Sequence, residues 1–342
     1  MKVIVCQDQE RLAWDSYVEF SVEASQYHRW AYGQAIEETF GHRAYRLAAA
    51  DNGEIRGILP LVRMRSHVFG DALISMPFAS HGGIVADTPD AREALVSAVI
   101  ALALELRADR IELRQGAPCD LPWVCTTAKV GMEVPLPGSA EELWNRLSSG
   151  TRNKIRSARK GGLRAEWGGV ELLGIFYPIF AENMRNHGTP VYPRRWFEKF
   201  FLHGSGQTRI LSVCAGGVPL GAGIATVHRR TLEWPWSAAS KRTGYRNAGV
   251  FLYWSLLAWA IDHRFDCVDL GRCTRGGGTY EFKRQWGCSE KPLHWYHWLS
   301  NGTKLPELRP ENPRFHWATQ VWRHLPLAVA NRLGPHVVRS IP

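Results

Sequence analysis

Two stretches of the chain concentrate side chains able to do chemistry. The first, Arg146-Leu-Ser-Ser-Gly-Thr-Arg152-Asn-Lys154-Ile-Arg156-Ser-Ala-Arg159-Lys160-Gly-Gly-Leu-Arg164, holds seven cations and no acid in nineteen positions. On a helix, Arg152, Arg156, Arg159 and Lys160 fall at i, i+4, i+7 and i+8 and make one cationic stripe, with Ile155 and Ala158 facing inward. Like charges this close repel, so the stripe needs an anion, a carboxylate-rich neighbour or plain solvent to screen it. Phosphate binding is the functional reading; a solvated face is the plain one.

The second stretch is Asp269-Leu-Gly-Arg272-Cys-Thr-Arg275-Gly-Gly-Gly278-Thr279-Tyr280-Glu281-Phe282-Lys283-Arg284-Gln285-Trp286-Gly287. A strand ending in Asp-Leu-Gly, then a glycine-rich loop, then an aromatic and cationic cluster is a pattern for backbone that closely approaches a ligand. The plain alternative is a surface turn with one satisfied lysine. Arg275-Gly-Gly is too short to be an RNA-binding low-complexity tract.

Other catalytic templates are missing. The sequence has no G-x-x-x-x-G-K-[ST], no strand-linked G-x-G-x-x-G, no G-x-S-x-G and no H-E-x-x-H, which removes sequence support for phosphate-loop, dinucleotide, serine-hydrolase and zincin chemistry. Seven scattered cysteines (Cys6, Cys119, Cys125, Cys214, Cys267, Cys273, Cys288) include no C-x-x-C pair. They read as reduced core residues rather than zinc ligands or a disulfide framework, so no metal site is expected. Among the thirteen histidines, His81, just before Gly82-Gly83, is a candidate acid or base at the end of a strand.

The elements that must position these residues alternate. A helix over 23–40 stops at Gly41. Strands at 45–50 and 55–65 flank Asp51-Asn52-Gly53, a hairpin signal. Next come 72–77, a long apolar helix 89–107 and a strand 110–113. After a linker at Pro135-Leu-Pro-Gly138, Ser139-Ala-Glu-Glu142 reads as a capping box opening a helix. A second helix covers 151–160, and strand, helices, hairpin, helix (248–263) and strand (267–270) follow. The second half repeats the order of the first, a duplication of pattern rather than of residue identity.

The composition is 45% hydrophobic and 22% charged over 342 residues, which excludes a disordered or collagenous chain and suits two domains. The net charge of +10 favours polyanionic partners: RNA, nucleotide phosphates or anionic lipid headgroups. The amino terminus lacks a signal-peptide pattern and no apolar run suffices to span a bilayer, so a cytoplasmic protein is expected. Asn301-Gly-Thr303 matches a glycosylation acceptor in form only. The basic, proline-punctuated end carries Phe315, Trp317, Val321, Trp322, Leu325, Val329 and Leu333 at helical spacings. It reads as helices packed on the core or, alternatively, as a peripheral contact through 312–334 with the inner face of the cell membrane.

Taken together, Leu147 to Leu163, Asp269-Leu-Gly-Arg272, Gly278-Thr-Tyr-Glu-Phe-Lys283 and Gln285-Trp-Gly287 resemble the FemAB-like branch of the GNAT acyltransferases. Phe40-Gly-His-Arg-Ala-Tyr45, Gly57-Ile-Leu-Pro-Leu-Val62, Asn312-Pro313 through Leu325-Pro326, Leu333-Gly-Pro335 and Ile341-Pro342 resemble its exosortase- and exopolysaccharide-associated subgroup. The resemblance covers nearly the whole chain. It implies an α+β fold of two tandem GNAT-like domains, each a mixed, largely antiparallel sheet flanked by helices. The expected division is 1–137, 138–300 and a basic extension 301–342.

Characterised Fem ligases transfer an amino acid from aminoacyl-tRNA to an amine. By that likeness Lys283 contacts the aminoacyl ester and stabilises transition-state charge, and Phe282 packs the donor's adenosine or acyl group. Tyr280, Arg272 and Gly278 complete that donor site. Arg152, Lys154 and Arg156 would meet phosphate of tRNA or of the acceptor. Asp269 and His81 are candidate proton acceptors. The chain lacks the long heptad insertion of the arm-bearing ligases, and where those ligases carry a phosphate-binding lysine it offers His28 and Arg29. No bound cofactor is implied. The co-substrate is aminoacyl-tRNA, or acyl-CoA held on Arg246-Asn-Ala-Gly249-Val-Phe251, a partial match to the pyrophosphate loop. The acceptor is an amine of an envelope, polysaccharide or peptide precursor. The non-enzymatic alternative is an RNA- or membrane-associated GNAT-fold scaffold.

Overall fold

Asn52 and Gly53, at φ 50° and 85°, form the tight turn that the sequence predicts, because their short or absent side chains tolerate the left-handed region. The hairpin that they close belongs to the first of two sheets in the computed structural model of the protein, which describes residues 1–66, 68–204, 206–240, 247–300 and 313–341.

Along the chain come β1 (Lys2–Val5), α1 (Arg11–Phe20), α2 (Trp30–Phe40), β2 (Arg43–Asp51), β3 (Glu54–Ser66), β4 (Gly70–Ile74), β5 (Val85–Ala86), α3 (Pro89–Leu106), β6 (Arg110–Gln115) and β7 (Val124–Thr126). A second series follows with β8 (Lys129–Pro135), α4 (Ala140–Arg146), α5 (Ser149–Lys160), β9 (Arg164–Gly168), α6 (Leu173–Asn186), α7 (Arg194–His203), β10 (Thr208–Ala215), β11 (Val218–His228), β12 (Thr231–Ala239), α8 (Ala248–Asp262), β13 (Cys267–Thr274), α9 (Gly278–Arg284) and β14 (Ser289–Pro292). The chain ends with β15 (His294–Leu299), α10 (Pro313–His324) and α11 (Leu327–Val338).

The strands make two sheets with the same plan. The first runs β1-β2-β3-β4-β6-β15-β7 and the second β9-β10-β11-β12-β13-β8-β14. Each is largely antiparallel with one parallel pair, β4 with β6 and β12 with β13. Helices α3 and α8 lie in the two crossovers, as parallel neighbours require. The duplicated pattern read from the sequence is thus a duplicated topology, and the fold is α+β with two tandem, largely antiparallel sheets flanked by helices.

The division of the chain differs from the sequential one expected. The first unit comprises Met1–Ala128, the segment from Pro292 and the last residues from Arg339; the second comprises Lys129–Lys291 with α10 and α11. Pro135 to Gly138 is therefore not the link between units, since β8 is hydrogen-bonded to β13 from Cys267↔Pro135 onward. Likewise β15 pairs with β6. Each sheet takes the strand beside its parallel pair from the stretch of chain that follows the other series. Local patterning cannot reveal such an exchange, because it is decided by which open sheet edge a strand completes.

Local rules account for the element ends. Thr88 Oγ1 accepts from Ala91 N–H at 3.2 Å and Pro89 occupies the first helical position, so α3 starts there. Ser139 caps α4 by accepting from Glu142 N–H at 3.1 Å, while Glu142 reaches back to Gly138 N–H instead of closing the expected box on Ser139. In the first unit Leu95, Val99 and Ala103 of α3 pack with Leu59, Leu73 and Ile111, all fully buried. In the second, Ile155, Leu256 and Leu257 pack with Leu211, Val213 and Val268. Complete burial of one such Leu, Ile or Val contributes about 1.5–3 kcal/mol. Trp236, from β12, packs edge-on against Trp196, Phe197 and Phe200 of α7.

Candidate active site

Asp269 on β13 is in register with Glu233 of β12 on one side and Glu133 of β8 on the other. Just past that row the sheet opens. The parallel ladder runs only from Thr231↔Cys267 to Glu233↔Asp269, although β12 continues to Ala239 and β13 to Thr274. Gly271 sits at φ +74°, where a side chain would be strained, and the ladder between β13 and β8 shifts between Asp269 and Arg272. Parallel strands that part leave inner-edge amides and carbonyls needing other partners.

Lys283 supplies two of those partners. The short helix α9 brings its ammonium to β13, where Nζ donates to the Gly271 carbonyl at 3.0 Å and the Arg272 carbonyl at 3.2 Å. The residue is 4% exposed. An ammonium has three N–H donors, and the third has no hydrogen-bond partner among the described residues. Burial holds the Lys283 pKa below the usual lysine range, against the opposing pull of Cys273 and Asp269. Burial likewise raises Asp269, against the Gly271 N–H that its Oδ1 accepts at 2.7 Å and the nearby Lys283. A desolvated site thus disfavours charge on both groups.

Burial disfavours the thiolate form of the two cysteines beside this lysine. Burial raises Cys273, and raises Cys288 to about 12; the Cys288 thiol donates to the Lys283 carbonyl at 3.1 Å. Nucleophilic attack requires the thiolate.

An aromatic wall flanks the lysine. Phe282 is half-buried and edge-on to Tyr253 at 4.9 Å, and Tyr253 stacks on Trp286 at 6.0 Å. The Trp286 indole N–H is buried without a partner among the described residues. Tyr280 donates to Glu290, which also accepts from Arg275 Nε at 3.0 Å, so this tyrosine ties α9 toward β14. Gly278 opens α9 with nothing within 4 Å of where a Cβ would stand. Arg272 enters the site through its backbone carbonyl.

The cationic stripe forms as its spacing predicts. On α5 Thr151, Ile155 and Ala158 are buried while Lys154, Arg156, Arg159 and Lys160 are exposed. None of these cations, nor Arg152, pairs with a carboxylate among the described residues. Arg156 and Arg159 lie over the Trp144 ring at 5.2 and 6.0 Å, and Arg152 donates to the Asn145 carbonyl at 3.4 Å. Those contacts orient the stripe and leave its charge unneutralised. Thr151 at its start donates to Gln285 Oε1 at 3.3 Å, joining α5 to the end of α9.

The remaining expected residues lie in the first unit. His81 is edge-on to Tyr27 at 5.4 Å, Arg29 pairs with Glu19, and His28 approaches the Gly83 carbonyl at 3.1 Å. The structure supplies no geometry joining His81 or Arg29 to Lys283. Arg246 of the pyrophosphate-loop match, Asn301-Gly302-Thr303 and the start of the 301–342 extension lie outside the described residues. Sequence reading missed Glu133 and Glu233. The signal was a lone carboxylate inside each of the apolar runs VGMEVP and TLEWPW, but only the strand register aligns them with Asp269.

Residues 146–284 match the family model described as an acetyltransferase (GNAT) domain. Among solved structures, the chain is similar to that of FemX, at 14% identity and a TM-score of 0.70 over 88% of this chain and 98% of that one. The chain has a FemAB-like GNAT fold. Other similar solved structures are those of the C-terminal domain of a putative lysylphosphatidylglycerol synthetase from Agrobacterium fabrum and of L-PGS from Bacillus licheniformis. The first has 13% identity and a TM-score of 0.59 over 86% of this chain and 92% of that one. The second has 8% identity and a TM-score of 0.58 over 94% and 98%. No curated protein matches in sequence. The GNAT match takes in the α5 stripe and Lys283 and lies within the second unit.

Proposed function

We propose that the protein transfers an aminoacyl group from aminoacyl-tRNA to an amine of a cell-envelope, exopolysaccharide or peptide-type precursor. The observation that carries this reading is the buried Lys283 ammonium with one N–H unspent beside the parting strands β12 and β13. The amine nitrogen attacks the ester carbonyl carbon and its π electrons move to oxygen. Lys283 donates to that oxyanion, which burial in a low-dielectric site strengthens. Collapse breaks the carbon–oxygen bond to the ribose, which leaves as a hydroxyl after taking a proton, and the amine loses one. Asp269, its pKa raised by burial, is one candidate to receive that proton; His81 is the other. Phe282 offers its ring to the donor, and the unpaired cations of α5 suit a phosphate backbone. The resemblance to the Fem ligases and the lysyl product named for one structural neighbour favour an aminoacyl donor over acyl-CoA.

The test offers labelled aminoacyl-tRNA and labelled acyl-CoA in parallel with cell extract, with and without ribonuclease. Ribonuclease-sensitive labelling from the tRNA supports the proposal. Nuclease-insensitive labelling from the thioester alone replaces it with a CoA-dependent N-acyltransferase. RNA binding without transfer, unaffected by Lys283→Ala, replaces it with the scaffold reading.

The reading includes a peripheral membrane contact through α10 and α11. Trp317, Val321, Val329, Leu333 and Val337 are exposed there, Trp317 at 69%. Residues 312–342 contain four arginines and no acid. An apolar stripe fringed by cations complements an anionic bilayer surface, into whose headgroup layer tryptophan and aliphatic side chains partition. No helix among the described residues is long and apolar enough to cross a membrane.

A further inference from the structure

Arg43 on β2 and Arg63 on β3 are direct cross-strand partners. Like charges placed opposite one another destabilise a sheet, so the pair needs a reason or a counter-charge. Part of the counter-charge is present. Asp71, on β4, accepts from Arg63 Nε at 3.0 Å and Nη2 at 2.6 Å, and lies 3.6 Å from Arg65. Arg63 also donates to the Leu106 carbonyl at 2.8 Å, so its fork is spent. The guanidinium of Arg43 lies over the Tyr45 ring at 4.9 Å, and Arg65 is 75% exposed.

Arg43, Tyr45, Arg63, Arg65 and Leu106 line one concavity of about 350 Å³ in the first unit, together with His42 and Arg339. His42 Nε2 donates to the Arg339 carbonyl at 2.7 Å, which fixes that residue's backbone at the rim. Four arginines line the cavity, and Asp71 is the one carboxylate paired with any of them among the described residues. The sheet, the αL turn at Gly41 and the His42 hydrogen bond hold this arrangement with no compensating acid for Arg43 or Arg339 among the described residues.

We propose that this cavity is a binding site for a phosphate monoester or diphosphate group of a small molecule. Guanidinium forks match phosphate oxygens two at a time, and a dianion offsets the repulsion that Asp71 leaves uncompensated. The volume lies at the small end of ligand pockets, suited to a phosphorylated headgroup rather than to a large cofactor. Arg43, Arg65 and Arg339 contact the ligand; Arg63 is a positioning residue whose charge adds to the field. The site is built wholly within the first unit and does not depend on the acyl-transfer reading.

The test measures binding of inorganic pyrophosphate to the full chain by titration calorimetry at low salt, beside flotation with vesicles containing phosphatidic acid. Arg43→Ala/Arg65→Ala is the site variant. Arg209→Ala, an exposed cation of β10 with no assigned role, controls for loss of charge. Because Arg43 and Arg65 are exposed, the double variant is expected to fold, which its melting transition verifies. Saturable one-to-one pyrophosphate binding, weakened about tenfold or more in the double variant and unchanged in Arg209→Ala, supports a site for soluble phosphates. The same loss seen only with phosphatidic acid vesicles supports a lipid phosphate as the source. Absence of saturable binding in both arms, or binding that the double variant leaves intact, overturns the proposal. So does binding of tRNA at this face with none of pyrophosphate or vesicles.

Discussion

The ammonium of Lys283 donates to the carbonyl of Gly271 at 3.0 Å, and that carbonyl sits where β13 has turned away from β12. The lysine therefore has two jobs that can be separated experimentally. It satisfies backbone that the parting strands expose, and it keeps one donor for a reacting oxygen. Replacement by methionine leaves two carbonyls without a partner, which costs about 1–3 kcal/mol of stability. If the oxyanion role is real, Lys283→Met also lowers kcat by about 10²–10³ with little change in donor KM. Assays well below the variant's own melting temperature measure this, and near-normal turnover there would leave only the structural role.

The α5 stripe should act through counterion release. Arg152→Ala/Arg156→Ala/Arg159→Ala is expected to weaken tRNA binding and reduce the slope of log affinity against log salt by about two to three. Filter binding across a salt series checks this. An unchanged slope would mean that the stripe is only solvated.

Thiol reactivity follows the burial pattern. Cys125 is exposed, whereas Cys6 and Cys288 are held at about 11 and about 12. At pH 7.5, N-ethylmaleimide should label Cys125 first and leave Cys6 and Cys288 unmodified in the folded protein. Mass spectrometry of the digest reads the order, and rapid labelling of Cys288 would contradict the burial of the lysine beside it.

Two histidines of the first unit make stability depend on pH. Burial lowers the His42 pKa, against the hydrogen bond that the ring donates to the Arg339 carbonyl; burial also lowers His297, against the nearby Glu112. A base with a depressed folded-state pKa contributes its full stability above about 6.5 and loses it as pH falls toward the folded value, because the unfolded chain binds the proton first. The melting temperature should drop between pH 7 and pH 5.5. His42→Gln should show a smaller drop than the parent; an equal one would remove His42 from the account.

Vesicle flotation tests the C-terminal helices. Vesicles containing phosphatidylglycerol should carry the protein upward and neutral phosphatidylcholine vesicles should not. Trp317→Ser/Leu333→Ser should abolish the effect at constant charge. Loss of a dimer in the same variant, without any lipid dependence, would assign the stripe to a second copy instead.

Much of this molecule was legible in one dimension. The hairpin at Asn52-Gly53, the cap at Ser139 and the stripe on α5 depend on residues a few positions apart, so turn chemistry and helical spacing determine them. The duplicated order of elements was visible for the same reason, and the resemblance in the Phe282-Lys283 region pointed to the unit that matches the GNAT model. Folding in three dimensions decided what distant residues do to one another. Which edge receives β8 or β15 depends on the strands already in each sheet. The alignment of Glu133, Asp269 and Glu233 depends on register, and the desolvation of Lys283 depends on how β12 and β13 part around it. Arg43 and Arg63 look like ordinary surface cations until strand pairing sets them face to face. Local backbone preferences act over a turn or two, whereas burial and electrostatic fields are properties of the assembled sheets.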